Sequence, residues 1–122
     1  MPASYAHRIE TSAAGVVMSV SGEIDSYTAA ALRADLYGAL ASSTGSMIVD
    51  LSGVEFIDST GLGVLIGLLR RSNERDRPLA LVIPGKNIAR IFSLTGLDKV
   101  FTIAESRREA WRLAGTNQKQ AG

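Results

Sequence analysis

One histidine and no cysteine narrow the chemistry open to this chain. With His7 alone, neither a Cys/His nucleophile pair nor a histidine-rich zinc site can be assembled. A Ser-His-Asp triad would have to use His7, and Ser59 is not set in a Gly-x-Ser-x-Gly elbow. His7 falls in a weak first strand and reads as a surface or edge residue. Disulfides and thiolate chemistry are excluded, which fits a reducing compartment. Gly61-Leu62-Gly63 follows a strand and opens a helix, the context of a dinucleotide fingerprint. The third glycine of that fingerprint is due at position 66, which is Ile66, and Gly67 comes one place late. The fingerprint also normally opens the first βαβ unit, not a later one. The steric alternative is that Gly61, Gly63 and Gly67 let a helix pack closely on a neighbour. No metal, cofactor or catalytic residue is expected.

Asp58-Ser59-Thr60-Gly61 is the more specific signal. It sits where a strand turns into a helix. Backbone N–H groups at a helix start lack internal partners, and the helix dipole is positive there. Asp58 or Ser59 can simply be the N-cap. The functional alternative is that Ser59 is exposed and accepts a phosphoryl group, which the helix N-terminus would favour electrostatically.

The elements around this segment alternate. Ser4 to Thr11 reads as a first strand, and Val16 to Val20 as a second, joined by a short turn at Ala13-Ala14-Gly15. Thr28 can cap a helix through Leu40, with Ala29, Leu32, Leu36 and Leu40 on one face. Met47 to Leu51 is a nearly continuous apolar run, as in a strand covered on both faces, and Val54 to Ile57 extends it toward Asp58. The second helix is predicted to bury Leu62, Leu65, Ile66 and Leu69. Leu79 to Ile83 reads as a strand and Ile88 to Phe92 as a short helix stopped near Gly96. A last strand is predicted at Val100 to Ile103 and a last helix at Glu105 to Ala114. The fold class is therefore α/β: a mixed, mostly parallel sheet with about four α-helices, the first strand antiparallel near an edge. The arginines from Arg70 to Arg77 alternate with Glu74 and Asp76 and read as a solvated helix end. Trp111 reads as packing of the last helix.

With 122 residues, 46% apolar and 20% charged, the chain suits one globular domain. That domain is expected over residues 1–114, with a flexible tail over 115–122. Thirteen basic against twelve acidic residues leave a net charge of +1. This gives no electrostatic case for direct nucleic-acid or anionic-membrane binding. No segment approaches the roughly 18–20 apolar residues of a membrane helix. Met1 to Glu10 lacks an apolar signal core, so a soluble cytoplasmic protein is expected.

Three segments in order carry a resemblance: Gly22-Glu23-Ile24-Asp25 with Thr28-Ala29, Ile48 to Leu51, and Phe56 to Gly63. Ile88, Arg90, Ile91, Phe92, Thr95-Gly96-Leu97 and Phe101 extend it. The chain resembles the bacterial anti-anti-sigma factors, which are single STAS domains, over about residues 15 to 104. The resemblance implies a parallel-rich sheet with packed helices. It implies a regulator, not an enzyme, that binds an anti-sigma factor serine kinase so that sigma is released. It makes Ser59 the phosphoacceptor, with phosphorylation cancelling binding and a serine phosphatase restoring it. It makes Asp25 an acidic position associated with kinase contact and Asp58 the motif's aspartate, although Asp25 can equally cap the helix at Thr28. Thr60 stands where many members have serine. Asp25, Asp58, Ser59, Thr60, Gly61 and Gly63 form the implied partner surface. Relatives also serve in stress-signalling or transport assemblies. A receiver-like signalling domain has similar length and alternation, but here the last strand is followed directly by Ala104-Glu105-Ser106, with no lysine, and Glu23 and Asp25 are separated by Ile24.

Overall fold

The computed structural model describes residues 4–121, with side chains described through Gly115. Five strands form one sheet in the order β1 (Tyr5–Ser12), β2 (Gly15–Ile24), β3 (Ser46–Ile57), β4 (Leu79–Val82) and β5 (Thr102–Ala104). β1 pairs antiparallel with β2 at one edge, and every other pair is parallel. The helices are α1 (Ala29–Ala41), α2 (Ser59–Glu74), α3 (Lys86–Leu94) and α4 (Arg107–Ala121).

Because spatial order follows chain order from β2 to β5, right-handed crossovers place successive connecting helices on one face. The core shows this. Val16, Met18, Val20, Met47, Val49 and Leu81 point to the side where Leu32, Leu36, Leu65, Leu68 and Phe92 of α1 to α3 pack. The alternate residues Val17, Ile48, Ala80 and Val82 face α4, which meets them through Ala110 and Ala114 with Trp111 alongside. Trp111 is thus a packing residue, as its sequence context suggests.

Several boundaries differ from the sequence expectation. α2 buries Gly61, Leu62, Leu65, Leu68 and Ser72, a stripe at spacings of one, three, three and four. Ile66 lies beside that stripe and is 36% exposed. The last strand begins at Thr102, not Val100. Leu97–Lys99 forms a single tight helical turn, and the amides of Val100 and Phe101 both donate to Leu97 O. Those amides are then spent before the ladder starts, so Val100 stays exposed while Phe101 packs edge-on against Phe92. α4 starts at Arg107, because Ser106 Oγ accepts from Glu109 N while Glu109 Oε1 accepts from Glu105 N, a reciprocal cap. α4 runs to Ala121. The expected tail falls mostly on residues whose side chains lie outside those described.

The arginine-rich end of α2 is not wholly solvated. The Arg77 guanidinium donates to Leu40 O at 2.8 Å and Ser43 O at 2.9 Å, and also engages Gly45 O. It closes the carbonyl end of α1, where cations are favoured.

Candidate functional site

The site is built where β2 and β3 end side by side. Their register pairs Glu23 with Phe56 and Ile24 with Ile57. The next residue of β3's chain, Asp58, donates its amide to Ile24 O at 3.1 Å. This contact places the Asp25 loop next to the start of α2. A kink precedes it: Gly22 has φ +98, a conformation L side chains rarely adopt, at a register shift in β2.

Asp58, not Ser59, caps α2. Its backbone is extended, and its Oδ1 accepts from Thr60 N at 2.9 Å and Gly61 N at 3.1 Å. Two of the orphan donors at the helix start are satisfied in this way. Ser59 is therefore released from capping. It occupies the first helical position, exposed, and its hydroxyl meets no hydrogen-bond partner among the described residues. Thr60 is exposed beside it.

Asp25 organises the neighbouring loop. Its Oδ1 accepts from Tyr27 N at 2.9 Å and from Thr28 N at 3.2 Å. Thr28 supplies no side-chain cap to α1, contrary to the sequence expectation. Its hydroxyl instead donates to Glu23 O and accepts from Asp25 N, tying the loop back to the strand. One carboxylate oxygen thus holds the loop ahead of α1 much as Asp58 holds the start of α2. Glu23, Asp25, Glu55 and Asp58 make this edge of the sheet acidic.

The two glycines of the motif have opposite roles. Gly61 is buried, and a Cβ there would lie 2.5 Å from Ile24 Cγ2 and 2.8 Å from Ile57 Cγ1. It lets α2 sit directly on the ends of β2 and β3. Gly63 is exposed with open space where a Cβ would go. The expectation of close packing at Gly63 is therefore corrected: it leaves a bare patch one turn above Ser59. Sequence reasoning missed the exposed apolar groups in this part of the chain. Tyr27 is 90% exposed in the Asp25 loop, Phe56 is 48% exposed at the end of β3, and Ile66 lies two turns beyond Ser59. An aromatic inside a polar turn, as in Asp25-Ser26-Tyr27-Thr28, was the available signal.

His7 is not part of this arrangement. Its ring stacks on Tyr5, and its Nδ1 lies 3.3 Å from Asp35 Oδ2 on α1. Burial, and the Asp35 carboxylate that accepts its hydroxyl, push the Tyr5 phenol well above its ordinary range. A hollow of about 250 Å³ over β1 to β3, lined by Ala6, Arg8, Ser19, Ser21, Asp50 and Ser52 among others, contains none of the candidate residues. Among the described residues no group of three or more His, Cys, Asp or Glu is placed to hold a metal ion.

A parallel-rich sheet thus carries an exposed serine at the Asp58-capped start of α2, beside an acidic loop. The chain belongs to the STAS domain family, whose model matches residues 6–110. It is 34% identical over 88 residues to an anti-sigma-B factor antagonist of Staphylococcus epidermidis, covering 72% of this chain and 82% of that protein. An anti-sigma factor antagonist from Mycobacterium paratuberculosis superposes with a TM-score of 0.83 at 33% identity, over 91% of this chain and 94% of the other. The phosphorylated form of the Bacillus cell fate determinant SpoIIAA shares the fold, with a TM-score of 0.64 at 24% identity over 86% and 96% of the two chains. No helix among the described residues is long and apolar enough to cross a membrane.

Proposed function

We propose that this chain is an anti-sigma factor antagonist: it binds an anti-sigma factor, frees a sigma factor, and is switched off by phosphorylation of Ser59. The observation that carries the switch is the division of labour at α2. Asp58 takes the capping role, so Ser59 is exposed and its modification leaves the cap bonds in place. No neighbouring base activates its hydroxyl among the described residues, so the catalytic machinery for transfer must come from the partner. That fits a regulatory binding protein acted upon by a serine kinase anti-sigma factor and reset by a serine phosphatase. The relatives named as anti-sigma factor antagonists support the role, and SpoIIAA solved in a phosphorylated form supports the switch. Asp25, Asp58, Ser59, Thr60 and Gly63 make the contact surface in this reading, and Gly61 supports it from below. The module works in the cytoplasm as one domain over residues 1–114, without direct nucleic-acid or membrane contact.

The test is capture of partners from the native host, followed by phosphorylation with the captured kinase and ATP, and mass spectrometry. Wild-type chain should gain one phosphate on Ser59. Ser59→Ala should fold within about 0.5 kcal/mol of wild type, bind the kinase and take up none. Phosphate on the Ser59→Ala chain would reassign the switch to another residue, with Thr60 first in line.

A further inference from the structure

We propose that Arg33 and Arg71, both set over the Tyr37 ring between α1 and α2, form a clamp for the carboxylates of an acidic segment on a protein partner. The Arg71 Cζ lies 4.5 Å from the Tyr37 ring centroid and the Arg33 Cζ 4.9 Å. The ring is half-buried against the main core. α2 is notched to receive it: a Cβ on Gly67 would fall 2.6 Å from Tyr37 Oη. This is the packing role that the sequence suggested for Gly67, and it aligns two cations on one aromatic ring.

Among the described residues neither guanidinium has an anionic partner. Asp35, the acid closest in sequence to Arg33, is engaged with Tyr5 and His7. Glu74 and Asp76, at the end of α2, form no ion pair with Arg71. Contact with the ring leaves each guanidinium without a hydrogen bond among the described residues, its N–H groups open for two-point bonding to a carboxylate. It also orders a long side chain before any ligand arrives, so less freedom is lost on binding.

Charge selects the occupant. Arg33 and Arg71 put two cations without ion-pair partners on one ring, in a chain of net charge +1 where Glu74 and Asp76 are interleaved with Arg75 further along. A nucleic acid or an anionic bilayer needs an extended positive field, whereas a short run of carboxylates needs only this cluster. The clamp ends at Arg77, whose donors are committed to α1 carbonyls. Arg71 lies twelve residues along α2 from Ser59, about 18 Å at helical rise. The clamp therefore goes beyond the Ser59 switch and stands without it.

The experiment titrates acetylated hexaglutamate peptide into the full chain at low salt, read by backbone amide and arginine side-chain NMR. Saturable shifts confined to Arg33–Tyr37 and Gly67–Arg71 are expected. Arg33→Ala and Arg71→Ala should each weaken binding about tenfold or more, and Arg70→Ala and Arg75→Ala by less than about twofold. Arg71→Lys, which keeps charge but loses the planar fork, should weaken it nearly as much as Arg71→Ala. Equal losses in all four alanine variants would reduce the site to unspecific charge and overturn the clamp. So would shifts centred on Ser59, an absence of saturation, or tighter binding of a single-stranded oligonucleotide or phosphatidylglycerol vesicles than of the peptide.

Discussion

Two aspartates, one within β3 and one just past its end, have opposite lives. Asp50, in the middle of the sheet, is 8% exposed. Its Oδ2 accepts from Arg107 Nε at 2.7 Å, and its Oδ1 accepts from the amide and hydroxyl of Ser52. Burial by itself raises a carboxyl pKa, but these hydrogen bonds and the guanidinium charge outweigh it and hold Asp50 below the ordinary carboxylate range. Asp58, just past the end of the strand, is half-exposed, and its carboxylate accepts only from backbone amides of its own helix. The middle of the strand is where α4 is fastened to the sheet. The end is where the proposed partner surface lies. Changes at the end should therefore alter binding with the fold intact, and changes in the middle should alter stability with the binding edge intact.

The largest effect expected is phosphate at Ser59. A phosphoserine carries about −1.5 to −2 charges at neutral pH. Added to an edge already holding Glu23, Asp25, Glu55 and Asp58, it repels a carboxylate about 7 Å away by roughly 1–5 kcal/mol across effective dielectrics of about 80 to 20. Where a partner carboxylate faces the serine, that is a loss of about fivefold to a few thousandfold in affinity. Amide NMR of both forms is the check. Shifts should stay near Ser59 and the Asp25 loop; changes spread through Met47 to Ile83 would replace local repulsion with a conformational switch.

Gly61→Val tests the support beneath that edge. Its side chain meets Ile24 and Ile57 at once, and a cost of about 1–3 kcal/mol is expected in denaturant unfolding. Gly63→Ala, two residues on, should instead gain about 0.5–1 kcal/mol, because glycine in a helix is costly and nothing blocks the methyl. A matching loss at both positions would erase the distinction between them.

Arg107→Met probes the middle of the strand. It leaves Asp50 with only Ser52 and should cost about 1–3 kcal/mol. Acid titration sharpens the point. Asp50 has a lower pKa folded than its ordinary value of 3.8, so the unfolded chain binds the proton first as pH falls. Its contribution is complete above that ordinary value and fades below it. The variant should show a shallower acid limb in thermal melts followed from neutral pH down through pH 3, with partner binding unchanged at pH 7.

Asp58→Ala is the smaller perturbation at the other end. Losing two cap bonds should cost about 0.5–2 kcal/mol, measured by chemical denaturation. A larger loss than Arg107→Met would place the structural burden at the edge and reverse the comparison.

The alternation of strands and helices, the antiparallel first strand and the strand-to-helix junction at Asp58-Ser59-Thr60-Gly61 were all legible in the sequence. Apolar runs and their periods are local facts, and one-directional strand order follows from short right-handed crossovers. The sequence also narrowed the cap of α2 to Asp58 or Ser59, and tertiary structure chose between them. Which of two adjacent residues has its oxygen over the helix amides depends on where β2 holds the chain, through the Asp58 amide on Ile24 O. The same dependence separates Gly61 from Gly63, identical residues that differ only in facing the sheet or solvent. It made Ile66 peripheral, because the groove between β3 and α1 selects which side of α2 is buried. And it paired Arg107 with Asp50, 57 residues apart, and Arg77 with the end of α1. A long-range pair leaves no period in the sequence, since each partner is an ordinary charged residue until folding brings the other to it.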